Sequence, residues 1–322
     1  VFDFFLGNLI DESKDIKKRK KFLYISVFLN LAVLCIFKYL DFFAQSLASI
    51  FEKININFFN DLTFNIILPI GISFYTFQKL SYIFDLYNKK CKVEKDFITF
   101  ASYVSLFPQL IAGPILRAHK LLPQLKKNIN PKIIDGLLLV LWGFFLKLCL
   151  ADTLSIFVDV CFDNTKNFGS LSLLIGSIFF SFQIYGDFAG YSLIAIGLGK
   201  IMGFDFGINF NSPYFANSFR NFWQRWHISL STWFRDYVYI KLGGKRNDPV
   251  KRSCNVLITM ILAGLWHGAN LTFILWGFLH ALLIIIQNFL SKKFQKNIKN
   301  PFVNLLKIFF VFFCNKCAVD FI

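Results

Sequence analysis

Long runs of apolar residues alternate with short polar stretches along the chain. The runs cover residues 22–43, 62–86, 134–150, 171–203 and 254–290. A helix of about 20 apolar residues crosses the hydrocarbon core of a bilayer. Because several such runs follow one another without a repeat or a linker, the pattern predicts one all-α, polytopic membrane domain over residues 1–322.

Some apolar stretches contain residues that interrupt a regular helix. We expect Pro69-Ile70-Gly71 to kink the second run. The sequence YGDFAGYS (185–192) is predicted to separate two helices in the fourth run. The stretch 97–115 is broken by Pro108 and by Gly113-Pro114. It predicts a re-entrant or interfacial hairpin, since irregular backbone at membrane depth must line protein or water.

The last run, 254–290, is too long for one crossing. As a single helix its 37 residues would extend about 55 Å, against a hydrocarbon core of roughly 30 Å. Basic residues flank both ends, which favours an even number of crossings. We therefore predict two helices that meet near Gly264–Gly268, and this places His267 inside the membrane.

The segment 214–240 differs from the apolar runs because it is aromatic, basic and amphipathic. If it is one helix, a single face carries the polar side chains of Arg225, Ser229, Thr232 and Asp236. Such a helix is predicted to lie at the membrane surface or to line a polar cavity.

The charge distribution adds an orientation to these helices. The formal net charge is +16, which on a soluble protein would favour nucleic-acid binding. Here the basic residues gather beside the apolar runs, at 14–21, 88–95, 241–252 and 291–299. Cytoplasmic loops of membrane proteins carry such clusters, so we expect no nucleic-acid partner. The connectors 44–61 and 151–170, which hold several acids, are predicted on the other side.

Few ionisable side chains fall within the apolar or interfacial segments. They are Asp187, Arg220, Arg225, His227, Arg235, Asp236, His267 and His280. Each is a candidate for function because a charge at membrane depth is costly. The arginines suit a phosphate-bearing or pantetheine-linked donor, since the planar guanidinium binds such groups in a bidentate way.

His267 is the sharpest candidate, and it stands in the sequence GLWHGAN (264–270). Gly264 and Gly268 flank it and allow a second backbone or a ligand to approach closely. Asn270 is spaced to hydrogen-bond the imidazole or a substrate. Imidazole is the usual general base, although a buried histidine that ties two helices together remains an alternative. A second Trp-His pair occurs at Trp226-His227.

Three other polar residues are weaker candidates. Asp187 is predicted to pair with an arginine of residues 220–235, in a structural or a catalytic role. His280 follows His267 on a different helical face. His119 is predicted to be a surface residue in a basic loop.

Four stretches resemble the membrane-bound O-acyltransferase (MBOAT) family. They are FPQLIAGPILRAHKLLPQL (107–125), GDFAGYSLIAIGLGKIMGF (186–204), NFNSPYFANSFRNFWQRWHISLSTWFRDYVYIKLGGKR (209–246) and LAGLWHGANLTFILWGFLH (262–280). The resemblance is greatest to the bacterial branch that O-acetylates alginate, and the D-alanyl-lipoteichoic-acid transfer protein belongs to the wider family. It runs from DFFLGNLIDESK to about Phe313. Family members usually have further helices at both ends, so we expect this chain to be truncated.

The resemblance implies a multi-helix bundle with a tunnel through the bacterial cytoplasmic membrane. It implies that His267 is the catalytic histidine and that His227 is the family's second histidine. The implied reaction moves an acyl group, usually acetyl, from a cytoplasmic thioester to a hydroxyl of an outer polysaccharide. The donor is acetyl-CoA or an acyl carrier protein, an esterase-like protein outside completes delivery, and no tightly bound cofactor or metal is expected.

We therefore expect His267 to act as general base, and His227 to position a reactant or stabilise charge on the thioester oxygen. The expected donor- and substrate-binding residues are Arg220, Arg225, Trp226, Trp266, Asn270 and Asp187. Alginate, cellulose, peptidoglycan, capsule and teichoic acid all remain open as acceptors. Two alternatives stay open as well: a proton-coupled transporter that uses His267 and Asp187 as a relay, and an inactive scaffold for a partner.

Overall fold

A computed structural model describes residues 1–52, 64, 66–110, 112–127, 130–244, 248–293 and 301–319. Helices dominate these residues, and turns and extended connectors join them. Within them, four helical segments are long and apolar enough to cross a membrane, namely Ile16–Ser49, Ile133–Asp163, Ser170–Ile201 and Leu271–Leu290. The prediction of an all-α, polytopic membrane protein is confirmed.

The described residues form two compact units. The first unit contains those within Val1–Ile111, Ile115–Asn128 and Trp266–Asn270. The second unit contains those within Ala112–Pro114, Ile129–Leu265 and Leu271–Ile322. Each unit is described below by itself.

Three helices pack together at the centre of the first unit. Helix α1 (Phe2–Glu12) contacts α2 (Ile16–Leu34), and both contact α4 (Ile72–Tyr87). Helix α2 continues through a π-helical segment (Cys35–Tyr39) into α3 (Leu40–Glu52), so the span predicted over 22–43 is confirmed and longer.

Helix α4 is shorter than the apolar run that predicts it. Gly71 has a φ of +77°, a left-handed conformation that glycine adopts without strain, and it immediately precedes the first helical residue. The amide of Ile72 donates to the carbonyl oxygen of Pro69 at 3.2 Å. The turn at 69–71 therefore starts the helix, and the predicted kink is wrong. Residues 53–63 and 65 lie outside the described residues.

A polar cluster that sequence reasoning missed lies between α1, α2 and α4. The carboxylate of Asp3 is fully buried and accepts hydrogen bonds from the Ser26 hydroxyl and, at 2.8 Å, from the Asn30 amide. The ammonium of Lys79 lies 3.9 Å from the same carboxylate. Such partners are what a buried charge requires, because burial removes its hydration.

The described residues of the stretch 97–115 (97–110 and 112–115) contain only short helices. Helix α5 (Phe97–Ser105) has 9 residues and α6 (Phe107–Leu110) has 4, whereas a spanning helix needs about 20. Asp96 caps α5 by accepting from two backbone amides, and the hydroxyl and amide of Thr99 lower the pKa of its carboxyl. The re-entrant or interfacial placement of this stretch stays a prediction. The chain continues through α7 (Ala118–Leu125).

Two long helical segments dominate the second unit. Helix α8 (Ile133–Phe144) continues through a π-helical segment (Phe145–Ala151) into α9 (Asp152–Asp163), well beyond the run predicted over 134–150. Helix α10 (Ser170–Ile201) is one continuous helix of 32 residues. The interruption predicted at 185–192 is therefore wrong.

The glycines of α10 serve packing, which explains why they do not break the helix. A Cβ at Gly190 would lie 2.8 Å from the carbonyl oxygen of Gly143 on α8. A Cβ at Gly197 would lie 2.6 Å from the carbonyl oxygen of Gly136. Small residues of this kind let two membrane helices approach closely.

The single amphipathic helix predicted over 214–240 is also wrong. The structure has α11 (Phe219–Trp223), α12 (Ile228–Phe234) and a π-helical segment (Arg235–Tyr239). His227 has a φ of +42°, which a residue inside a right-handed helix does not adopt. Arg225 therefore lies outside α12 and does not share a helical face with Ser229.

The last apolar run contains two helices, as predicted. Helix α13 (Pro249–His267) ends where the connector 268–270 begins, and α14 (Leu271–Lys293) follows. A Cβ at Gly264 would lie 2.1 Å from the carbonyl oxygen of Phe273, so this glycine faces α14. Helix α15 (Pro301–Val319) packs against α14.

Parts of the predicted loops lie beyond what the structure describes. The connector predicted over 44–61 is helical up to Glu52, and its remainder lies outside the described residues. Residues 294–299 of the basic cluster at 291–299, and residues 245–247 of the cluster at 241–252, also lie outside them.

Candidate functional site

In the first unit, His267 lies beside a cluster of aromatic rings. It is the last residue of α13 and is half-buried. Trp266 is only 8% exposed, and its ring stacks on Phe77 with a centroid separation of 5.4 Å and meets Phe74 at 5.7 Å. The imidazole of His267 lies 5.1 Å from the Trp266 ring at an angle of 75°. Residues of α4 therefore hold Trp266, and Trp266 supports the imidazole.

Lys38 also reaches this histidine, and sequence reasoning did not single it out. Its ammonium donates to the carbonyl oxygen of Trp266 and lies 3.4 Å from that of His267. It lies 3.3 Å from the hydroxyl of Ser73. The same nitrogen stands 5.6 Å from the centroid of the Trp266 ring, within the range of a cation–π contact.

Gly264 and Asn270, two of the residues predicted to surround His267, lie in different environments. Gly264 faces the backbone of α14, so its role is close helix packing and not space for a reactant. Asn270 is exposed in the connector between α13 and α14. It stays a candidate for contact with a substrate.

His227 lies in the second unit, and its ring is held by an amide. It is 1% exposed and stands immediately before α12. Its Nδ1 lies 3.1 Å from the side-chain oxygen of Asn209. Because an amide oxygen only accepts, Nδ1 carries the proton, and a neutral ring has its lone pair on Nε2. The ring edge also meets the face of Phe188 at 4.6 Å.

Asn209 does more than orient this histidine, and sequence reasoning missed it. Its side-chain oxygen accepts from the Ser229 hydroxyl at 2.9 Å, and its amide nitrogen donates to Ser192 at 3.0 Å. Its backbone oxygen accepts from the amide of Ile228 at 2.8 Å. Asn209 thus starts α12 and stabilises the positive φ of His227, a conformation that costs of order 1 kcal/mol or more without such support.

The neighbouring candidates Trp226, Arg225 and Arg220 divide between core and surface. Trp226 is half-buried and stacks on Phe222 with a centroid separation of 5.6 Å. Arg225 reaches the carbonyl oxygen of Ser212 at 3.5 Å, and Arg220 donates to Asn288 at 2.8 Å. Arg220 is exposed and Arg225 is half-buried, and each guanidinium group has more donors than these bonds use.

Asp187 has a different partner from the predicted one. Its carboxylate lies 2.6 Å from the ammonium of Lys147, which lies 2.6 Å from Asp152 as well. The predicted pairing of Asp187 with an arginine is wrong, because Lys147 of the neighbouring helix is in reach. These ion pairs join α10 to the segment between α8 and α9, which favours the structural reading of Asp187.

The remaining two histidines have local partners. His280 is 1% exposed and lies between the rings of Trp223 and Trp276, at 5.1 and 4.7 Å. His119 is not a simple surface residue, because its Nδ1 lies 2.6 Å from the fully buried carboxylate of Asp85. Within the described part of the chain, no cluster of three or more His, Cys, Asp or Glu side chains is placed to bind a metal ion.

A model of the MBOAT, membrane-bound O-acyltransferase family, matches residues 92–319. The matched range includes both Trp-His pairs. It also continues past Phe313, where the sequence resemblance was expected to end.

Curated relatives agree with the family match. The chain is 41% identical over 305 residues to the probable alginate O-acetylase AlgI of Pseudomonas aeruginosa, covering 94% of this chain and 58% of that protein. It is 33% identical over 325 residues to the peptidoglycan O-acetyltransferase of Helicobacter pylori, covering 92% and 60%. It is 27% identical over 266 residues to the teichoic acid D-alanyltransferase of Bacillus subtilis, covering 77% and 67%. The chain thus spans less than two thirds of the length of the first two relatives.

Proposed function

The chain belongs to the membrane-bound O-acyltransferase family, and from that premise we propose that it transfers an acyl group from a thioester to a hydroxyl of a cell-envelope polymer. The observation that carries the proposal is the family match over both Trp-His pairs, with His267 half-buried at the end of a helix. Acetyl is the favoured group, because two relatives, at 41% and 33% identity, are named as a probable alginate O-acetylase and a peptidoglycan O-acetyltransferase.

His267 is proposed as the general base. It takes the proton of the acceptor hydroxyl while that oxygen attacks the thioester carbonyl. The C–S bond then breaks, and the imidazolium returns the proton to the leaving thiolate, which departs as the thiol. Its partial exposure supports this role, because a reactant must come within hydrogen-bond distance of the ring. His227 is almost fully buried, which favours a positioning role for it over proton transfer.

The donor is proposed to be acetyl-CoA or an acyl carrier protein that presents a phosphopantetheine thioester. Both carry phosphate, and the guanidinium groups of the exposed Arg220 and the half-buried Arg225 have the chemistry to bind it. We place the chain in a bacterial cytoplasmic membrane, with an extracytoplasmic protein as the partner that completes delivery. The transporter alternative needs Asp187 in a proton relay, whereas Lys147 holds that carboxylate.

The test is the ester content of envelope polysaccharide in cells that express the chain. We expect His267→Ala to abolish the added O-acyl esters, because the acceptor hydroxyl loses its base. His119→Asn is the matched control, since it also removes an imidazole elsewhere in the first unit but keeps a side chain that can donate to the buried carboxylate of Asp85, and it should retain the esters. Unchanged ester content in His267→Ala at equal protein level would exclude the proposed role.

A further inference from the structure

We propose that Lys38 is a positioning residue that fixes the imidazole of His267 through the end of the helix that carries it. Only the expected effect of Lys38 on the rate of acyl transfer rests on the proposed function. Its structural part, that Lys38 sets the conformation of His267, stands on the contacts of the first unit.

The contacts of Lys38 are those that a helix end requires. The last four carbonyl oxygens of a helix have no partner within the helix. Lys38 donates to the carbonyl oxygen of Trp266 and lies 3.4 Å from that of His267, which are the last two residues of α13. A cation at this position also complements the negative end of the helix dipole.

Lys38 is itself held from several sides. It lies in the π-helical segment Cys35–Tyr39, a departure from α-helix that occurs often at functional sites. The Ser73 hydroxyl lies 3.3 Å from its ammonium, and the rings of Tyr39 and Trp266 lie 5.8 and 5.6 Å from it. A lysine that only snorkels would direct its charge to the membrane surface. Lys38 instead directs it to backbone oxygens and rings of the protein.

This arrangement gives the imidazole one defined position. The backbone that precedes the ring is fixed at two carbonyl groups by Lys38, and the indole of Trp266 is fixed between Lys38 and Phe77. Without Lys38 the helix end frays and the ring of His267 takes several positions. A displacement of about 1 Å costs roughly 100-fold in the rate of a catalysed step.

The first experiment reads the conformation of His267 without any activity. The chain has 4 histidines, so labelling histidine with ¹⁵N and ¹³C gives an NMR spectrum with few signals for the protein in nanodiscs. The signals that disappear in His267→Ala are those of His267. We expect Lys38→Met to shift and broaden the His267 signals. Lys38→Arg, which keeps a cationic donor, restores a single sharp set.

Lys79→Met is the matched control for loss of a buried lysine in the same unit. Lys79 lies over the rings of Phe2 and Tyr75, beside Asp3. We expect this variant to lower the yield of folded protein and to leave the His267 signals unchanged. If Lys38→Met does not accumulate in the membrane, Ser73→Ala tests the same contact, because it removes one of the three oxygen partners of the ammonium.

The second experiment measures acyl transfer by the full chain in proteoliposomes. Lys38→Met should lower kcat roughly 100-fold and leave KM for the donor within about twofold, since positioning acts on the base and not on binding. Lys38→Arg should recover most of kcat.

The outcomes separate the two proposals. Unchanged His267 signals in Lys38→Met, or equal kcat in Lys38→Met and the parent chain, overturn the positioning role. Altered His267 signals in a protein whose activity survives His267→Ala instead overturn the proposed base and leave the structural role of Lys38 intact.

Discussion

At the scale of single residues, Asn209 makes several of the contacts that organise the region around His227. Asn209 orients the ring of His227, begins α12 through its backbone oxygen, and binds Ser192 of α10. None of these contacts is encoded by spacing along the chain, because Asn209 is distant in sequence from both Ser192 and His227. They arise only when the second unit has folded.

We predict that Asn209→Ala destabilises the protein by about 2–4 kcal/mol, since several buried hydrogen bonds of about 1 kcal/mol each are lost together. Thermal unfolding of the purified protein in detergent, followed by intrinsic fluorescence, measures the change. Asn167→Ala is the control, because Asn167 is exposed in a short 3₁₀ turn, and it should leave Tm unchanged. Equal Tm values for the two variants would show that Asn209 does not hold this region.

Residue-level prediction succeeded where the reason lies within a few neighbouring residues. The helix break after His267 follows from the length of an apolar run that is too long for one crossing of a bilayer. The partner of Asp187 did not follow, because the sequence cannot tell which of several cations comes within reach. The same holds for the pairing of His119 with Asp85, which depends on how α4 and α7 pack.

At the scale of secondary-structure elements, glycine was the least reliable signal. Glycine starts α4 at Gly71, where φ is positive, but it lies inside a continuous helix at Gly190. In the sequence, a glycine that begins a helix and a glycine inside a helix look the same within an apolar run. Only the neighbouring helix distinguishes a residue that ends a helix from one that lets two helices touch.

Gly264 provides a direct test of the packing role. An added Cβ would lie 2.1 Å from the carbonyl oxygen of Phe273, which belongs to backbone and cannot rotate away. We predict that Gly264→Ala forces α13 and α14 apart and costs about 3 kcal/mol, as overpacking does. The unfolding midpoint of the purified variant measures it.

Gly169→Ala is the control for this substitution, because nothing lies within 4 Å of the added Cβ and the residue precedes α10 with a negative φ. Its stability should change by no more than about 0.5 kcal/mol. The same loss in both variants would mean that backbone flexibility, and not the contact with Phe273, explains the effect.

At the scale of the whole molecule, the apolar runs predicted the architecture and the local motifs predicted the family. Membrane class and all-α architecture follow from run length alone, because a bilayer admits few other structures. The bounds of the helices followed less well: the segment from Ile133 to Asp163 extends well into the predicted connector 151–170. In the sequence, acidic residues at the end of a helix cannot be distinguished from acidic residues in a loop.

The orientation of the second unit in the membrane gives the last prediction. Helices α8, α9 and α10 form an antiparallel pair of segments, in which the amide of Lys132 meets the carbonyl oxygen of Lys200 at one end and residues 164–169 join the segments at the other. Basic residues favour the cytoplasm, so the end with Lys132 should face inward and the connector outward.

Single cysteines placed on a cysteine-free background test this orientation. Asn167→Cys and Lys132→Cys both occupy exposed positions, which makes them a matched pair. We expect a membrane-impermeant maleimide to label Asn167→Cys in intact spheroplasts and Lys132→Cys only after permeabilisation. The reverse labelling would show that the unit has the opposite orientation. Arg220 and Arg225 would then not be the residues that bind a cytoplasmic donor. Labelling of both sites in intact cells would mean that these segments do not cross the membrane, because only a crossing shields one end of the pair from the reagent.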